Sequence, residues 1–169
     1  MPDDIKILYV DDEPGLLSLG KYFLERSGQF IVDTITSAPA ALSLQNAKRY
    51  DAIVADYQMP EMDGIELLRK IRSSGNTIPF ILFTGRQREE IAVQALNEGA
   101  DFYQQKGGEP TSLFAELSHK IRYAVMRRNA EARSWQYEAQ LRQVIGLVPP
   151  PDLFEGRGAG TVLLKKLPG

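Results

Sequence analysis

Five short runs that read as strands, each followed by a stretch that reads as a helix, constrain this chain more than any other feature. The strand runs are Ile5 to Val10, Phe30 to Thr36, Ala52 to Ala55, Ile78 to Phe83 and Asp101 to Gln105. The apolar, β-branched character of the first four, at lengths too short for helices, marks buried strands. The first helix opens at Pro14, carries Leu16, Leu17, Phe23 and Leu24 on one face, and stops at Ser27-Gly28. Further helices are expected over Ser37 to Lys48, Asp63 to Ser73 and, more weakly, Glu89 to Asn97, and Pro110 opens a long fifth one. Alternation of this kind implies a parallel sheet covered by helices on both faces and joined by right-handed crossovers. Periodicity alone leaves the order of the strands open.

The third run delivers an acid to a defined place. Ala52 to Ala55 ends in Asp56, Met59-Pro60 forces extended backbone and then a turn, and Asp63 with Glu66 resembles a capping box at the next helix. Asp11, Asp12, Thr84 and Lys106 also stand just past the carboxyl ends of expected strands. In an open α/β sheet that edge is where ligands bind. Singly these residues have plain readings: acids before Pro14 favour a helix N-terminus, Asp63 is a cap, and Lys106 is a surface lysine. Together they form a chemically coherent set.

Carboxylates crowded at one edge repel, and one would remain protonated unless a cation neutralised them. The chain has no cysteine and one histidine, so such a cation must be a hard ion bound by oxygen. Mg²⁺ fits, because it takes few carboxylates, keeps waters and completes its octahedron with phosphate oxygens. Lys106 and Thr84 supply a positive charge and a hydroxyl for the oxygens of a transferring phosphoryl group. Asp56 is then the nucleophile, forming an acyl phosphate.

Asp11-Asp12, Asp56 followed by Met59-Pro60 and Asp63-Gly64, Thr84, and Tyr103 three residues before Lys106 resemble the receiver domain of two-component response regulators, over roughly residues 5 to 125. The resemblance implies a flavodoxin-like (βα)5 fold, a doubly wound parallel sheet of order 2-1-3-4-5, here with a C-terminal helical extension. It implies that Asp56 is the phosphoacceptor, charged by a sensor histidine kinase. It also implies that Asp12 ligates Mg²⁺ directly, Asp11 mostly through water and Gln58 through its backbone carbonyl. Thr84 and Lys106 would hold the phosphoryl oxygens, and the Tyr103 rotamer would report phosphorylation. Gln58 and Arg86 fall at the two positions that tune dephosphorylation in the family, and Gly85 follows Thr84 where alanine is commoner. Two readings from other classes stay open: a phosphohydrolase with Asp56 as nucleophile, which would need a second aspartate where Gln58 stands, and a pseudo-receiver that only binds.

The expected organisation is a receiver over residues 1-125, a linker or signalling helix over 126-148, and a flexible Pro/Gly-rich tail over 149-169. From Gln140 onward the sequence resembles the linker helix and opening strands of a PAS sensory domain, with only about thirty residues, too few for that fold's core. Leu113, Leu117, Ile121 and Val125 form one helical stripe, and Tyr137, Leu141, Val144 and Val148 form a second. The second has nothing in the receiver to cover it, so a homodimer is expected, through this helix or through the face built from the fourth helix, fifth strand and fifth helix. His119 sits in a sequence that departs from a kinase phosphodonor box and reads as a surface histidine. A formal charge of −2, with bases interleaved among acids, predicts no nucleic-acid binding. No apolar run approaches the ~20 residues of a membrane span, and a cytoplasmic protein is expected.

Overall fold

The computed structural model describes residues 3–85 and 88–146. In chain order the elements are β1 (Ile5–Val10), α1 (Pro14–Arg26), β2 (Phe30–Ile35), α2 (Ala38–Ala47), β3 (Ala52–Ala55), α3 (Gly64–Ser73), β4 (Phe80–Thr84), α4 (Glu89–Asn97), β5 (Phe102–Gln105) and α5 (Pro110–Val144). The strands form one parallel sheet of order β2-β1-β3-β4-β5. This is the flavodoxin-like order that the resemblance implies, and it makes β1 and β3 neighbours at the switch point.

The strand alternation divides the core into two layers. Leu8, Val10, Ile53, Ala55, Phe80 and Leu82 face one side and pack with Ala41 of α2, Ile65, Leu68 and Ile71 of α3, and Ile91 of α4. Ile7, Tyr9, Val54, Ile81 and Phe83 face the other, against Leu17 and Leu24 of α1 and Phe114, Leu117, Ile121 and Val125 of α5. Both faces of β3 and β4 are buried throughout, which is why these strands read as unbroken apolar runs rather than alternating ones. On α1, Gly20 provides room for the sheet: a Cβ there would come within 2.5 Å of the Tyr9 ring.

Strand limits shift by a residue or two from those expected, for local reasons. Pro79 has no N–H for the ladder, and Ile78 gives its N–H to Asn76 Oδ1 at 2.9 Å, so β4 begins at Phe80 and includes Thr84. Asp101 uses its carboxylate to accept the Phe80 N–H at 2.8 Å, and β5 begins one residue later. Asp63 caps α3 by accepting the Glu66 N–H at 2.8 Å.

The chain divides into two compact units at Arg128. In the first, Leu117, Ile121 and Val125 of the expected stripe are buried, together with Phe114 and Ala124. In the second, no described residue from Asn129 to Gly146 is buried. Arg86, Val148 and the 149–169 tail with its likeness to a PAS opening lie outside the described residues. Among the described residues no helix is long and apolar enough to cross a membrane.

Candidate functional site

The ends of β1 and β3 are laced together before any side chain is considered. Asp56 N–H donates to the Val10 carbonyl at 3.0 Å, and Asp11 N–H donates to the Ile35 carbonyl at 3.1 Å. Asp11 then turns the chain into α1 by accepting the Glu13 N–H on Oδ1 at 2.9 Å. Asp56 Oδ1 accepts the N–H of Tyr57 at 2.8 Å. These bonds use one oxygen of each carboxylate. The second oxygens take no backbone N–H among the described residues.

Lys106 reaches both of them. Its Nζ lies 2.5 Å from Asp11 Oδ2 and 3.4 Å from Asp56 Oδ2. It is itself only 15% exposed. The N–H of Lys106 donates to the Thr84 carbonyl at 2.9 Å, which ties the β5 end to the β4 end, and the Thr84 hydroxyl donates to the Asp56 carboxylate. Lys106 Nζ also lies 5.7 Å from the Phe83 ring centroid, within cation–π range.

Ligand oxygens of Asp11, Asp12 and Asp56 all lie within 4.8 Å of one another. Asp11 is fully buried and Asp56 nearly so, whereas Asp12 is exposed. An all-oxygen cluster with one open side suits a hydrated hard cation such as Mg²⁺. Asp12, Asp56, Gln58, Thr84 and Lys106 line an open cleft of about 730 Å³. Tyr103 stands lateral to it on β5, half-buried against the α4 side of the core and paired in register with Leu82. His119 is exposed on α5.

Burial, with Asp11 adding to it, pushes the Asp56 carboxyl above its usual range; Lys106, Thr84 and the Tyr57 N–H pull the other way without cancelling the rise. Tyr9 is pushed well above the usual phenol range, first by burial and then by Asp11 and Asp56. Its buried hydroxyl has no hydrogen bond among the described residues.

Three features of the site were not foreseen from the sequence. The pairing of Lys106 with Asp11 depends on strand order, which periodicity does not reveal. Gly64 lies against the Asp56 backbone: a Cβ there would collide with the Asp56 carbonyl oxygen and come within 2.8 Å of Leu82. The signal available for it was the glycine directly after the Asp63 cap. Finally, Glu61 has φ 70°, and the Met62 N–H donates to the Pro60 carbonyl at 2.8 Å, a tight three-residue turn directly behind the acceptor.

A family model for the response regulator receiver domain matches residues 7–118. The alkaline phosphatase synthesis transcriptional regulatory protein PhoP of Bacillus subtilis is 33% identical over 152 residues, covering 89% of this chain and 62% of PhoP. Response regulator Rre1 of Synechocystis is 29% identical over 146 residues, covering 85% of this chain and 62% of Rre1. The chain thus spans 62% of the length of either relative. Among solved structures, the Francisella response regulator 1452 receiver domain superposes with a TM-score of 0.68 at 28% identity, over 74% of this chain and 99% of that one. The CheY-like receiver domain protein of Methanospirillum hungatei JF-1 does so with a TM-score of 0.65 at 29% identity, over 74% and 99%.

Proposed function

The chain belongs to the response regulator receiver family of two-component signal transduction, and on that premise we propose that Asp56 is its phosphoacceptor, served by Thr84 and Lys106. The observation that carries the reading is the Asp56 carboxylate held in an open cleft with Lys106 Nζ at 3.4 Å and the Thr84 hydroxyl bonded to it. Receivers of response regulators interact with sensor histidine kinases, and such a kinase is the proposed donor here. A carboxylate oxygen of Asp56 attacks phosphorus, the P–N bond of the phosphohistidine breaks, and the imidazole leaves with a proton. Lys106 moves its charge from Asp11 toward the phosphoryl oxygens, and Thr84 turns its hydroxyl from the carboxylate to the same group. Neither residue changes protonation; both orient and stabilise.

Receivers generally bind Mg²⁺ at an acidic pocket. In this chain Asp11, Asp12 and Asp56 would hold it, with the Gln58 carbonyl and waters; when bound it neutralises the carboxylates and the incoming phosphoryl oxygens. Tyr103 is proposed as the aromatic that follows Thr84 when phosphorylation redirects that hydroxyl. Gln58, exposed at the cleft mouth, and Arg86 would set how readily water reaches the acyl phosphate. The signal would leave by self-association, through the α4–β5–α5 face or through the helix beyond the receiver, and no contact with nucleic acid is proposed for this chain. The organisation proposed is receiver, signalling helix and a tail akin to a PAS opening. The phosphohydrolase and pseudo-receiver readings are disfavoured: Gln58 stands where the former needs an aspartate, and the latter would leave Asp56, Thr84 and Lys106 without a task.

Acetyl phosphate with Mg²⁺, followed by intact mass, tests the assignment. The wild type should gain one phosphoryl group and Asp56→Asn none. A stable adduct on the asparagine variant would move the acceptor elsewhere.

A further inference from the structure

Past Arg128 the fifth helix continues to Val144 without a buried residue. Within it Ala130, Ser134, Tyr137, Leu141 and Val144 follow one another in steps of four, three, four and three. That spacing averages about 3.5 residues, the repeat of a two-helix seam. Ser134 and Leu141 take the a positions of a heptad, and Ala130, Tyr137 and Val144 the d positions; Val148 is the next a position in the sequence. The stripe is open to solvent, with Tyr137 64%, Leu141 44% and Val144 82% exposed. Trp135, 58% exposed, stands off this stripe at a b position, and the row of large apolar side chains along the stripe calls for a cover.

The charges beside the seam say which cover fits. In the same register Arg133 occupies g and Glu138 the following e, five residues later. Between parallel, in-register helices, g of one chain lies beside the next e of the other, so Arg133 of each copy meets Glu138 of its partner twice per dimer. In an antiparallel pair g faces g and e faces e, which would set like charges against each other. Arg133 commits only Nε to the carbonyl of Asn129, at 3.4 Å, and the guanidinium has further donors for a carboxylate. Ala130 and Ser134 are small, which lets two backbones approach at the start of the seam.

We propose that residues 130–144 pair with the same segment of a second copy of this chain as a parallel, in-register two-helix coiled coil. This narrows the self-association reading above to one surface, and it does not depend on phosphoryl transfer at Asp56.

The chain has no cysteine, so single cysteines report geometry cleanly. Full-length Tyr137→Cys and Val144→Cys, at d positions, should form disulfide dimers on mild oxidation at least about tenfold faster than Ala139→Cys at f, because the seam holds d positions at high effective concentration. Sedimentation should show Arg133→Glu and Glu138→Arg each weakening self-association, a mixture of the two forming heterodimers, and the doubly exchanged protein regaining wild-type association. Leu141→Lys should weaken association by about tenfold or more through lost burial at the seam. Oxidation as fast at Ala139 as at Tyr137, or no recovery in the double exchange, would overturn the coiled coil. A dimer that survives Leu141→Lys unchanged would refute the seam and leave self-association to the α4–β5–α5 face. A protein monomeric at all concentrations would refute both. Loss of Asp56 phosphorylation bears on neither.

Discussion

Asp56 is burdened by its own setting, and that has a measurable sign. Burial and Asp11 raise its pKa above the unfolded value, so the folded state holds the proton more tightly. The stability linked to that proton is present in acid, below the unfolded pKa, and is lost as pH rises through the folded one. At neutral pH, without Mg²⁺, the ionised carboxylate therefore costs stability. Asp56→Asn should melt higher than wild type at pH 7 in chelator, and the difference should shrink as pH falls into the carboxylate range; an unchanged difference across that range would mean the gain is not electrostatic. Lys106 makes the complementary case. It lies 2.5 Å from Asp11 and competes for the charge that a metal would use. Lys106→Ala should bind Mg²⁺ more tightly, by about tenfold at the water-like dielectric of an open cleft, while losing the phosphorylation-dependent change at Tyr103. Calorimetry with Mg²⁺ and tyrosine fluorescence measure the two halves separately. Which residues gather at the edge was legible from sequence because each lies at or just past the carboxyl end of a strand. That Lys106 already pairs with Asp11 was not, since it takes strand order to bring residues 95 apart together.

Element limits were legible to within a residue or two, and the discrepancies lie where side chains replace ladder bonds. Asp101 is the instructive one. Read as the first residue of a strand, it instead accepts the Phe80 N–H at 2.8 Å and pairs with Arg127 at 2.9 Å and Arg72 at 3.5 Å. Arg72 in turn donates to the carbonyls of Gly99 and Asn76. One carboxylate thus joins β4, β5, α3 and α5, and no local pattern announces it, because each partner is distant in sequence. Asp101→Ala strands the Phe80 N–H and removes a carboxylate from beside two guanidiniums, so a loss of about 2–3 kcal/mol is expected. Denaturant titration checks it. Asp101→Asn, which keeps the acceptor for Phe80, should recover about half. The gap between the two apolar stripes of α5, after Val125, was readable because spacing is a local property. The burial of Phe114 was not anticipated; that ring stacks on Phe23 of α1 with centroids 5.4 Å apart, a contact set by the packing of two elements.

At the scale of the whole molecule the alternation of strands and helices pointed to a two-faced parallel sheet, while the order 2-1-3-4-5 came only through family resemblance. Periodicity records which face a residue shows, and says nothing of which strand lies beside which. The receiver is expected from sequence to span residues 1-125, as far as its apolar stripe on α5 reaches. The first compact unit runs to Arg128, and Arg127, past the last buried residue of α5, Val125, pairs with Asp101. Two truncations separate the contributions. A chain ending at Arg128 keeps both core layers and the Arg127 pair, so its stability should lie within about 0.5 kcal/mol of that of the full-length protein at concentrations where the latter is monomeric, as expected when only residues exposed in the monomer are removed. It should also accept phosphoryl groups from acetyl phosphate at an unchanged rate. A chain ending at Val125 loses the pair and frays the last turn over Ile121 and Val125, and should be destabilised by about 1–2 kcal/mol. Melting and phosphorylation of the three lengths decide it. Equal stability of the two truncated forms would show that the apolar stripe alone anchors the helix and that Arg127 is incidental to the fold.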